Sequence, residues 1–261
     1  MTMGFVGCGA IASAMVEGLC ARHPDSRIVV SPRNADRARD LAARFPNVGV
    51  AASNQAVLDQ AQIVVLAIRP QVAAEAIADL TFRPDHRVLS LVAGLTLPNL
   101  RVAVAPANVA TRAIPLPAVA LNRGPTAIFP PDGPTRALFN TLGTAIDLQD
   151  EREFDVFATA TATMANQFAF AETIVGWMTE QGVATVRARA FVDGMIGGLA
   201  ATSAAQPNTS FADLAEAHQT PGGLNAQVLD KTTRDGAFAG LSAALDAVLA
   251  RLRAGAAGCG I

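Results

Sequence analysis

The chain has 261 residues, enough for one large domain or two ordinary ones, and 51% of them are hydrophobic. Only 16% are charged and the net charge is −2, which favours a packed globular core and argues against a nucleic-acid-binding surface. No apolar stretch of about 20 residues indicates a membrane span, and residues 1–19 lack the basic start of a signal peptide. Cys8, Cys20 and Cys259 are not spaced as metal ligands or disulfides, so we expect no metal and a reducing, cytoplasmic setting.

The chain begins with a strand, a glycine-rich turn and a helix. Residues 4–6 form a short apolar run, and the next six residues follow the pattern G-x-G-x-x-A. In this context the pattern is typical of dinucleotide binding. Gly7 permits a tight turn, Gly9 lets a pyrophosphate approach the backbone, and Ala12 is small enough for the helix to pack on the strand. The helix start also offers free N–H groups to phosphates. The residues expected there are Gly7, Gly9, Ala10, Ile11 and Ala12.

Strands and helices then alternate as far as residue 149. The run 62–68 is continuously apolar, as expected for a central parallel strand covered on both faces. The series predicts an open α/β sheet with right-handed crossovers, that is, an N-terminal Rossmann dinucleotide-binding domain over residues 1–149. The other predicted strands are 27–31, 48–52, 87–92, 102–105, 111–114, 126–129 and 144–148, and the predicted helices are 35–45, 54–61, 72–80 and 136–142.

From residue 150 onward the pattern is helical throughout. Residues 151–181 contain no proline and no alternation, which predicts one helix of about 30 residues, roughly 45 Å long. The apolar helix faces exceed what about 110 residues bury among themselves, so we expect an all-helical C-terminal dimerisation domain over 150–261 and a homodimer. Further helices are predicted at 184–205, 210–217, 224–233 and 237–253.

The residues after the second strand indicate which dinucleotide binds. An Asp or Glu at this place would bind the ribose 2′-hydroxyl of NAD, but the chain has Ser31, Arg33 and Asn34. The forked guanidinium of Arg33 suits a 2′-phosphate, although a solvated loop arginine is the alternative. The sequence therefore predicts NADPH in preference to NADH. Arg69 and Pro70 end the central apolar strand, at the sheet edge where ligands collect in such folds.

Motifs along about 230 residues resemble, in order, those of the pyrroline-5-carboxylate reductase family. Beyond the opening turn, residues 31–34 resemble the family's Ser-Asn-Arg-Thr, 67–71 its Ala-Val-Lys-Pro-Gln, 89–96 its serine–alanine–glycine strand end, 111–115 and 124–128 its Val-Arg-Ala-Met-Pro and Gly-Ala-Thr-Ala-Ile, and 220–223 its Ser-Pro-Gly-Gly. The resemblance implies NADPH-dependent reduction of a cyclic imine, as in the conversion of 1-pyrroline-5-carboxylate to L-proline in proline biosynthesis. It also implies a small imine or imino acid as the substrate.

The resemblance adds residues to the predicted cofactor site. It implies that 67–70 lies along the nicotinamide ribose, that 93–94 closes the other side, and that Pro115 packs near the nicotinamide. With the turn residues above, the predicted cofactor site comprises Ser31, Arg33, Asn34, Asn54, Ala67, Ile68, Arg69, Pro70, Ala93, Gly94 and Pro115.

The substrate motifs depart from the family's pattern. The family's Pro-Asn-Thr-Pro is shortened to Pro115-Leu116-Pro117, and its Ser-Gly-Ser-Gly-Pro-Ala-Tyr appears as residues 161–167 without glycine or proline. Asn225 replaces the second Thr of Ser-Pro-Gly-Gly-Thr-Thr, which in the family donates to the imine nitrogen. We therefore expect pyrroline-5-carboxylate to be a poor substrate. The resemblance implies catalytic roles for Asn225, Thr220 and Thr163, and substrate contacts for Thr161, Asn166, Gln167, Gly222 and Gly223.

Some roles and functions stay open. The Gly-Gly turn resembles an anion-binding nest for a carboxylate, and His218 before it is an alternative proton donor. Threonines in an apolar helix alternatively bond back to the preceding turn. A β-hydroxyacid dehydrogenase would share the two-domain plan, but it relies on a lysine in the long helix, and the only lysine is Lys231. A non-catalytic NADP-binding regulator would suit the altered substrate motifs.

Overall fold

The computed structural model describes residues 2–258, and side chains as far as residue 254, so Cys259 lies outside the described residues. These residues divide into two units. The first unit comprises the described residues up to Ala158 together with those from Arg251 onward, and the second comprises Thr159–Ala250. The domain boundary at 149/150, which the change in sequence pattern indicates, stays a prediction.

One sheet of eight strands forms the centre of the first unit. The strands are β1 Met3–Val6, β2 Ile28–Val30, β3 Val48–Val50, β4 Ile63–Leu66, β5 Arg87–Ser90, β6 Val109–Pro115, β7 Pro125–Phe129 and β8 Thr144–Asp147. Their order is β3-β2-β1-β4-β5-β6-β7-β8, so its first six strands follow the doubly wound order of dinucleotide-binding domains. This confirms the predicted fold class.

Helices flank this sheet and make up the second unit. In the first unit the helices are α1 Ala10–Arg22, α2 Ala35–Arg44, α3 Asn54–Gln60, α4 Pro70–Ala78, α5 Leu97–Ala103 and α6 Gly133–Leu142, with a short 3₁₀ helix at Pro117–Leu121. The later helices are α7 Glu153–Thr161, α8 Met164–Glu180, α9 Thr185–Ala205, α10 Phe211–Ala217, α11 Leu224–Arg234 and α12 Ala237–Gly258. Within the described range, no helix combines the length and apolarity needed to cross a membrane.

Helices cover both faces of the sheet and fix the positions of its strands. All four residues of β4 are buried, as the apolar run predicted. One apolar cluster packs α1 and α6 on the sheet around Met15 and Phe139, and a second packs α3, α4 and α5 around Leu58, Ile77 and Leu100. The carboxyl ends of the parallel strands therefore follow a well-packed core.

The end of the sheet differs from the predicted βαβ series. The strand predicted at 102–105 is wrong, because residues 97–103 form α5. Pro98 lies in the first turn of that helix, where its missing N–H is not needed, so the proline starts a helix and does not break one. Strand β7 runs antiparallel to β6 and parallel to β8, and only the 3₁₀ helix intervenes between β6 and β7.

The single helix predicted over 151–181 is also wrong. It divides into α7 and α8 because the chain tightens at Ala162 and Thr163. The N–H groups of these two residues donate to the oxygens of Thr159 and Ala160 at 3.0 and 3.2 Å, with the three-residue spacing of a 3₁₀ turn. The Thr163 hydroxyl competes for the same Ala160 oxygen at 2.8 Å, which is the local bonding that weakens helices at threonine.

Candidate functional site

The glycine turn after β1 packs against the end of β4. Gly7 has φ +99°, and a Cβ there would lie 2.8 Å from the carbonyl carbon of Ala67 and closer still to its oxygen. The Ala67 N–H donates in return to the Val6 oxygen at 2.8 Å. Because β1 has β2 on one side and β4 on the other, this turn lies at the switch point of the sheet, where ligands bind in open α/β folds.

The turn leaves the start of α1 open. Gly9 is the N-cap, its extended backbone carries no capping side chain, and the first turn of α1 contains no acidic residue. A Cβ on Gly9 would meet nothing within 4 Å, so the space beside the free N–H groups is open. A pyrophosphate fits this arrangement, since backbone N–H groups and the positive end of the helix dipole both face the open space. Ala12 is 1% exposed, as expected for a residue at the helix–strand contact.

Ser31 supports the turn from behind. Its hydroxyl oxygen accepts a hydrogen bond from the Gly7 N–H at 2.9 Å, and its own N–H donates to the Phe5 oxygen. The residue has no exposed surface, so it supports the turn, and its part in a cofactor site stays a prediction. The sequence placed Ser31 in the cofactor site but gave no sign of this contact.

The residues after β2 and β3 line a cavity of about 290 Å³ at the carboxyl edge. Arg33 is exposed there, and within the described part of the chain it makes no hydrogen bond or ion pair. Asn34 is the N-cap of α2 and makes no capping bond with its side chain. The guanidinium is therefore available to an anion, although binding of a 2′-phosphate stays a prediction. The cavity is lined by Arg33, Ser53, Asn54, Gln55, Glu75, Ala76, Asp79 and Leu80.

The remaining predicted cofactor residues follow the next three strands. Arg69 is the exposed N-cap of α4, directly after β4, and Pro70 is the first residue of that helix. Gly94, after β5, has φ +77° and open space around it, and Pro115 ends β6. Since β4, β5 and β6 are parallel neighbours, the topology brings these residues to the same edge as the glycine turn. Their contacts with a cofactor stay predictions.

The predicted substrate residues on α7 and α8 lie at the break between these helices. Thr163 donates its hydroxyl proton to the Ala160 oxygen, so only its acceptor lone pairs are left for a ligand. Asn166 and Gln167 are exposed one turn further along. Gln167 lines a cavity of about 460 Å³ bounded by residues of α8 and α9, which also contains Glu172 and the ion pair of Arg189 with Asp193.

A second group of predicted residues closes the loop between α10 and α11. The amide nitrogen of Asn225 donates to the His218 carbonyl oxygen at 2.8 Å, which leaves one amide N–H and the amide oxygen free. His218 holds its Nδ1 2.7 Å from the Leu214 oxygen, so Nδ1 carries a proton. A Cβ on Gly223 would overlap the Thr220 hydroxyl, so the tight Gly-Gly turn requires glycine. The structure thus brings Thr220, the two glycines, Asn225 and His218 into one loop.

Metal chemistry has no candidate ligand set in this part of the molecule. Among the residues that the structure describes, no three His, Cys, Asp or Glu side chains are grouped so as to hold a metal ion.

The chain is similar to known oxidoreductases along most of its length. Residues 2–94 match the family described as NADP oxidoreductase, coenzyme F420-dependent. The chain is 24% identical to the pyrroline-5-carboxylate reductase of Haemophilus influenzae, over 87% of both chains. The solved 1-pyrroline-5-carboxylate reductase of Streptococcus pyogenes has a TM-score of 0.84 at 24% identity, covering 97% of this chain and 98% of its own. The pyrroline carboxylate reductase of Plasmodium falciparum, solved with NADP bound, has a TM-score of 0.83 at 16% identity, over 97% of both chains.

These similarities agree with the order of motifs read from the sequence. The family model covers the glycine turn and the strands up to β5, whereas the Haemophilus and Streptococcus reductases extend the match into the helical unit. The chain is therefore similar to pyrroline-5-carboxylate reductases over most of its length, and it shares their fold.

Proposed function

We propose that the protein is an NADPH-dependent reductase of a cyclic imine, acting on a C=N bond as pyrroline-5-carboxylate reductases do. The observation that carries the proposal is the contact of Gly7 with Ala67, which holds the uncapped start of α1 open at the switch point of the sheet. Relatives along most of the chain are named pyrroline-5-carboxylate reductases, and one solved neighbour contains NADP.

The residues of the first unit bind and orient the cofactor in this proposal. The N–H groups at the start of α1 take the pyrophosphate beside Gly9, and Arg33 takes the 2′-phosphate. When bound, the reduced nicotinamide supplies the hydride. The residues after β4, β5 and β6 place the nicotinamide end, and placement contributes most because the cofactor carries the difficult chemistry.

The loop between α10 and α11 receives the substrate in this proposal. The turn at Gly222 and Gly223 resembles an anion-binding nest. The Gly223 N–H donates to the Thr220 oxygen at 2.8 Å, so the Gly222 N–H is the group that suits a carboxylate. The free amide oxygen of Asn225 suits the N–H of a protonated imine, which is already electrophilic and needs no strong acid from the protein. Pyrroline-5-carboxylate stays a predicted poor substrate, because Asn225 stands where the family has threonine.

We also propose that the second unit pairs with a second copy of this chain. Only Val175, Ala188 and Val192 form its buried apolar cluster, whereas many of its large apolar side chains are exposed. Clusters of exposed apolar side chains mark a protein interface. A two-fold symmetric dimer would cover the same apolar face on both copies of the chain. The most exposed large apolar residues of this unit are Phe168, Trp177, Val186, Phe191, Phe211, Leu224 and Val228. A reducing, cytoplasmic setting is also proposed, and the free thiols of Cys8 and Cys20 support it.

Turnover of cyclic imines tests the proposed activity. Loss of NADPH absorbance is followed with cyclic imines that carry or lack a carboxylate, and we expect turnover of at least one of them. NADPH binding without turnover of any imine would favour the regulator instead. Oxidation of hydroxy acids with NADP would favour the β-hydroxyacid dehydrogenase. That class relies on a lysine in the long helix, whereas Lys231 lies on α11 and donates to Asp235 at 2.5 Å.

A further inference from the structure

A partly buried ion pair lies beyond the carboxyl end of β5. The Arg112 side chain is 5% exposed, and its Nη1 lies 2.5 Å from Oε1 of Glu151. Its guanidinium also stacks 4.0 Å above the centre of the Phe154 ring, and its Nε has no hydrogen-bond partner. Arg112 pairs with Ser90 across β5 and β6, which fixes the arginine beside the last residue of β5.

The same Glu151 oxygen performs a second task. It accepts a hydrogen bond from the N–H of Leu97, the first residue of α5, at 2.5 Å. The N-cap of that helix, Thr96, makes no capping bond with its own side chain. Glu151, more than fifty residues further along the chain, therefore replaces the missing cap and adds a negative charge where the helix dipole favours one.

The segment that joins β5 to α5 is held at both ends by hydrogen bonds. At its start, the Leu91 N–H donates to the Leu66 oxygen at 2.9 Å, and at its end Glu151 holds Leu97. Val92 and Leu95 are buried, so the middle of the segment, Ala93 and Gly94, projects from a fixed base. In a doubly wound sheet the adenosine half of a dinucleotide lies beside β2, and the other half lies toward β4 and β5.

We infer that Glu151, held by Arg112, is a positioning residue that fixes the Ala93–Gly94 segment for the nicotinamide half of the cofactor. The inference rests on the proposed function, because it assumes that NADPH binds. A pair with a buried arginine is a poor source of stability, since desolvation of the cation offsets the attraction between the charges. The unpartnered Nε adds to that penalty, whereas the geometry of the pair fixes one helix start at one place.

Three variants separate positioning from stability. Glu151→Gln keeps an oxygen for the Leu97 N–H but removes the charge, and Glu151→Ala removes both. The double variant Arg112→Met with Glu151→Ala removes the buried cation as well, so its Tm is expected above that of Glu151→Ala alone. Asp132→Asn is the control, because Asp132 pairs with Arg87 at the opposite end of β5 at 2.7 Å, and its side chain is 26% exposed, against 24% for that of Glu151.

Two ligands, titrated calorimetrically against each folded variant, report on the two halves of the site. NADPH has both halves, whereas adenosine 2′,5′-bisphosphate lacks the nicotinamide. We expect Glu151→Ala and the double variant to raise the Kd of NADPH by about tenfold or more, with the Kd of the bisphosphate within about twofold of the wild type. Glu151→Gln is expected to lie between, and Asp132→Asn to bind both ligands as the wild type does.

The other outcomes overturn the inference. A double variant that binds NADPH as tightly as the wild type would show that the pair only stabilises the fold. Equal losses for both ligands, or the same loss in Asp132→Asn, would show a general disturbance of the sheet. A wild-type protein that binds neither ligand would instead overturn the proposed function, and the inference with it.

Discussion

Gly7 and Ala67 lie so close that no side chain fits between them: a Cβ on Gly7 would lie 2.8 Å from the carbonyl carbon of Ala67 and overlap its oxygen. The contact joins the first crossover of the sheet to its central strand, at the place where the proposed cofactor site begins. Gly9, two residues later, has open space around it. The two glycines of one turn therefore serve different needs.

Substitution of each glycine by alanine separates those needs. Gly7→Ala is expected to lower the free energy of unfolding by about 1–3 kcal/mol from the positive φ alone, with more from the overlap with Ala67. Gly9→Ala is expected to leave stability nearly unchanged but to weaken NADPH binding, because the new methyl group fills the space proposed for the pyrophosphate. Denaturant unfolding and NADPH titration measure the two effects. Similar stability losses in both variants would contradict this assignment.

We expect the preference for NADPH to depend on Arg33. Arg33→Ala is expected to weaken NADPH binding by about 1.5–3 kcal/mol, the range for hydrogen bonds to charged groups, and to leave NADH binding nearly unchanged. Arg22→Ala is the control, because Arg22 is an exposed arginine at the other end of α1. Titration with both nucleotides measures the difference, and an equal loss for NADH would refute the role of Arg33.

His86 is buried at the amino end of β5, and we expect the acid stability of the first unit to depend on it. Its Nδ1 accepts from the Arg83 N–H at 3.0 Å and its Nε2 lies 3.1 Å from the Leu58 oxygen, so the ring is neutral with the proton on Nε2. Burial first, and then the Arg83 cation, lower the pKa of His86 below 6.5, against the hydrogen bond to Leu58 and the carboxylates of Asp85 and Asp59.

A lowered pKa means that the unfolded chain binds the proton more readily than the folded one. The contribution of His86 is therefore complete above pH 6.5 and declines as the pH falls toward the lower, folded-state pKa. We expect the free energy of unfolding of the wild type to decrease over this acidic window, and that of His86→Gln to decrease less. Urea unfolding at a series of pH values measures both slopes, and parallel slopes would exclude His86 as the cause.

Assembly is tested on the exposed faces of the helical unit. Phe191 on α9 is 63% exposed, and Phe191→Glu is expected to shift the protein from dimer to monomer because a charge replaces an apolar interface contact. Val102→Glu is the control, since Val102 is a valine on α5 in the first unit that is 78% exposed. Light scattering at micromolar concentration gives the mass, and a monomeric wild-type protein would refute the proposed pairing.

The sequence predicted those features that follow from local pattern. The apolar run of β4 and the G-x-G-x-x-A turn identified the sheet and its switch point, because burial on both faces and a positive φ leave direct marks on residue choice. The ends of helices were harder to predict. Pro98 lies in the first turn of a helix, and the break at Thr163 depends on the hydrogen bond of its hydroxyl to the Ala160 oxygen within a single turn. The partners of Ser31 and Arg112 lie 24 and 39 residues away, and neither contact has a periodic signal.

The final prediction concerns Asn225 and the choice of imine. One amide N–H of Asn225 braces the loop through the His218 oxygen at 2.8 Å, and the amide oxygen is free. Asn225→Ala removes both groups and is expected to lower mainly kcat for whichever imine is turned over. Asn225→Thr restores the hydroxyl of the family and is expected to raise kcat/KM for pyrroline-5-carboxylate.

Asn108→Ala is the matched control for Asn225→Ala, because the Asn108 amide likewise donates to a backbone oxygen, that of Pro84 at 3.0 Å, in the first unit. Loss of that brace is expected to leave kcat unchanged, so a fall in kcat confined to Asn225→Ala reports on the substrate and not on loop bracing in general. Steady-state kinetics with pyrroline-5-carboxylate and with cyclic imines that lack its carboxylate provide the measurement. A wild-type kcat/KM for pyrroline-5-carboxylate within the usual enzyme range of about 10⁴–10⁸ M⁻¹s⁻¹ would show that Asn225 serves this substrate as well as threonine does.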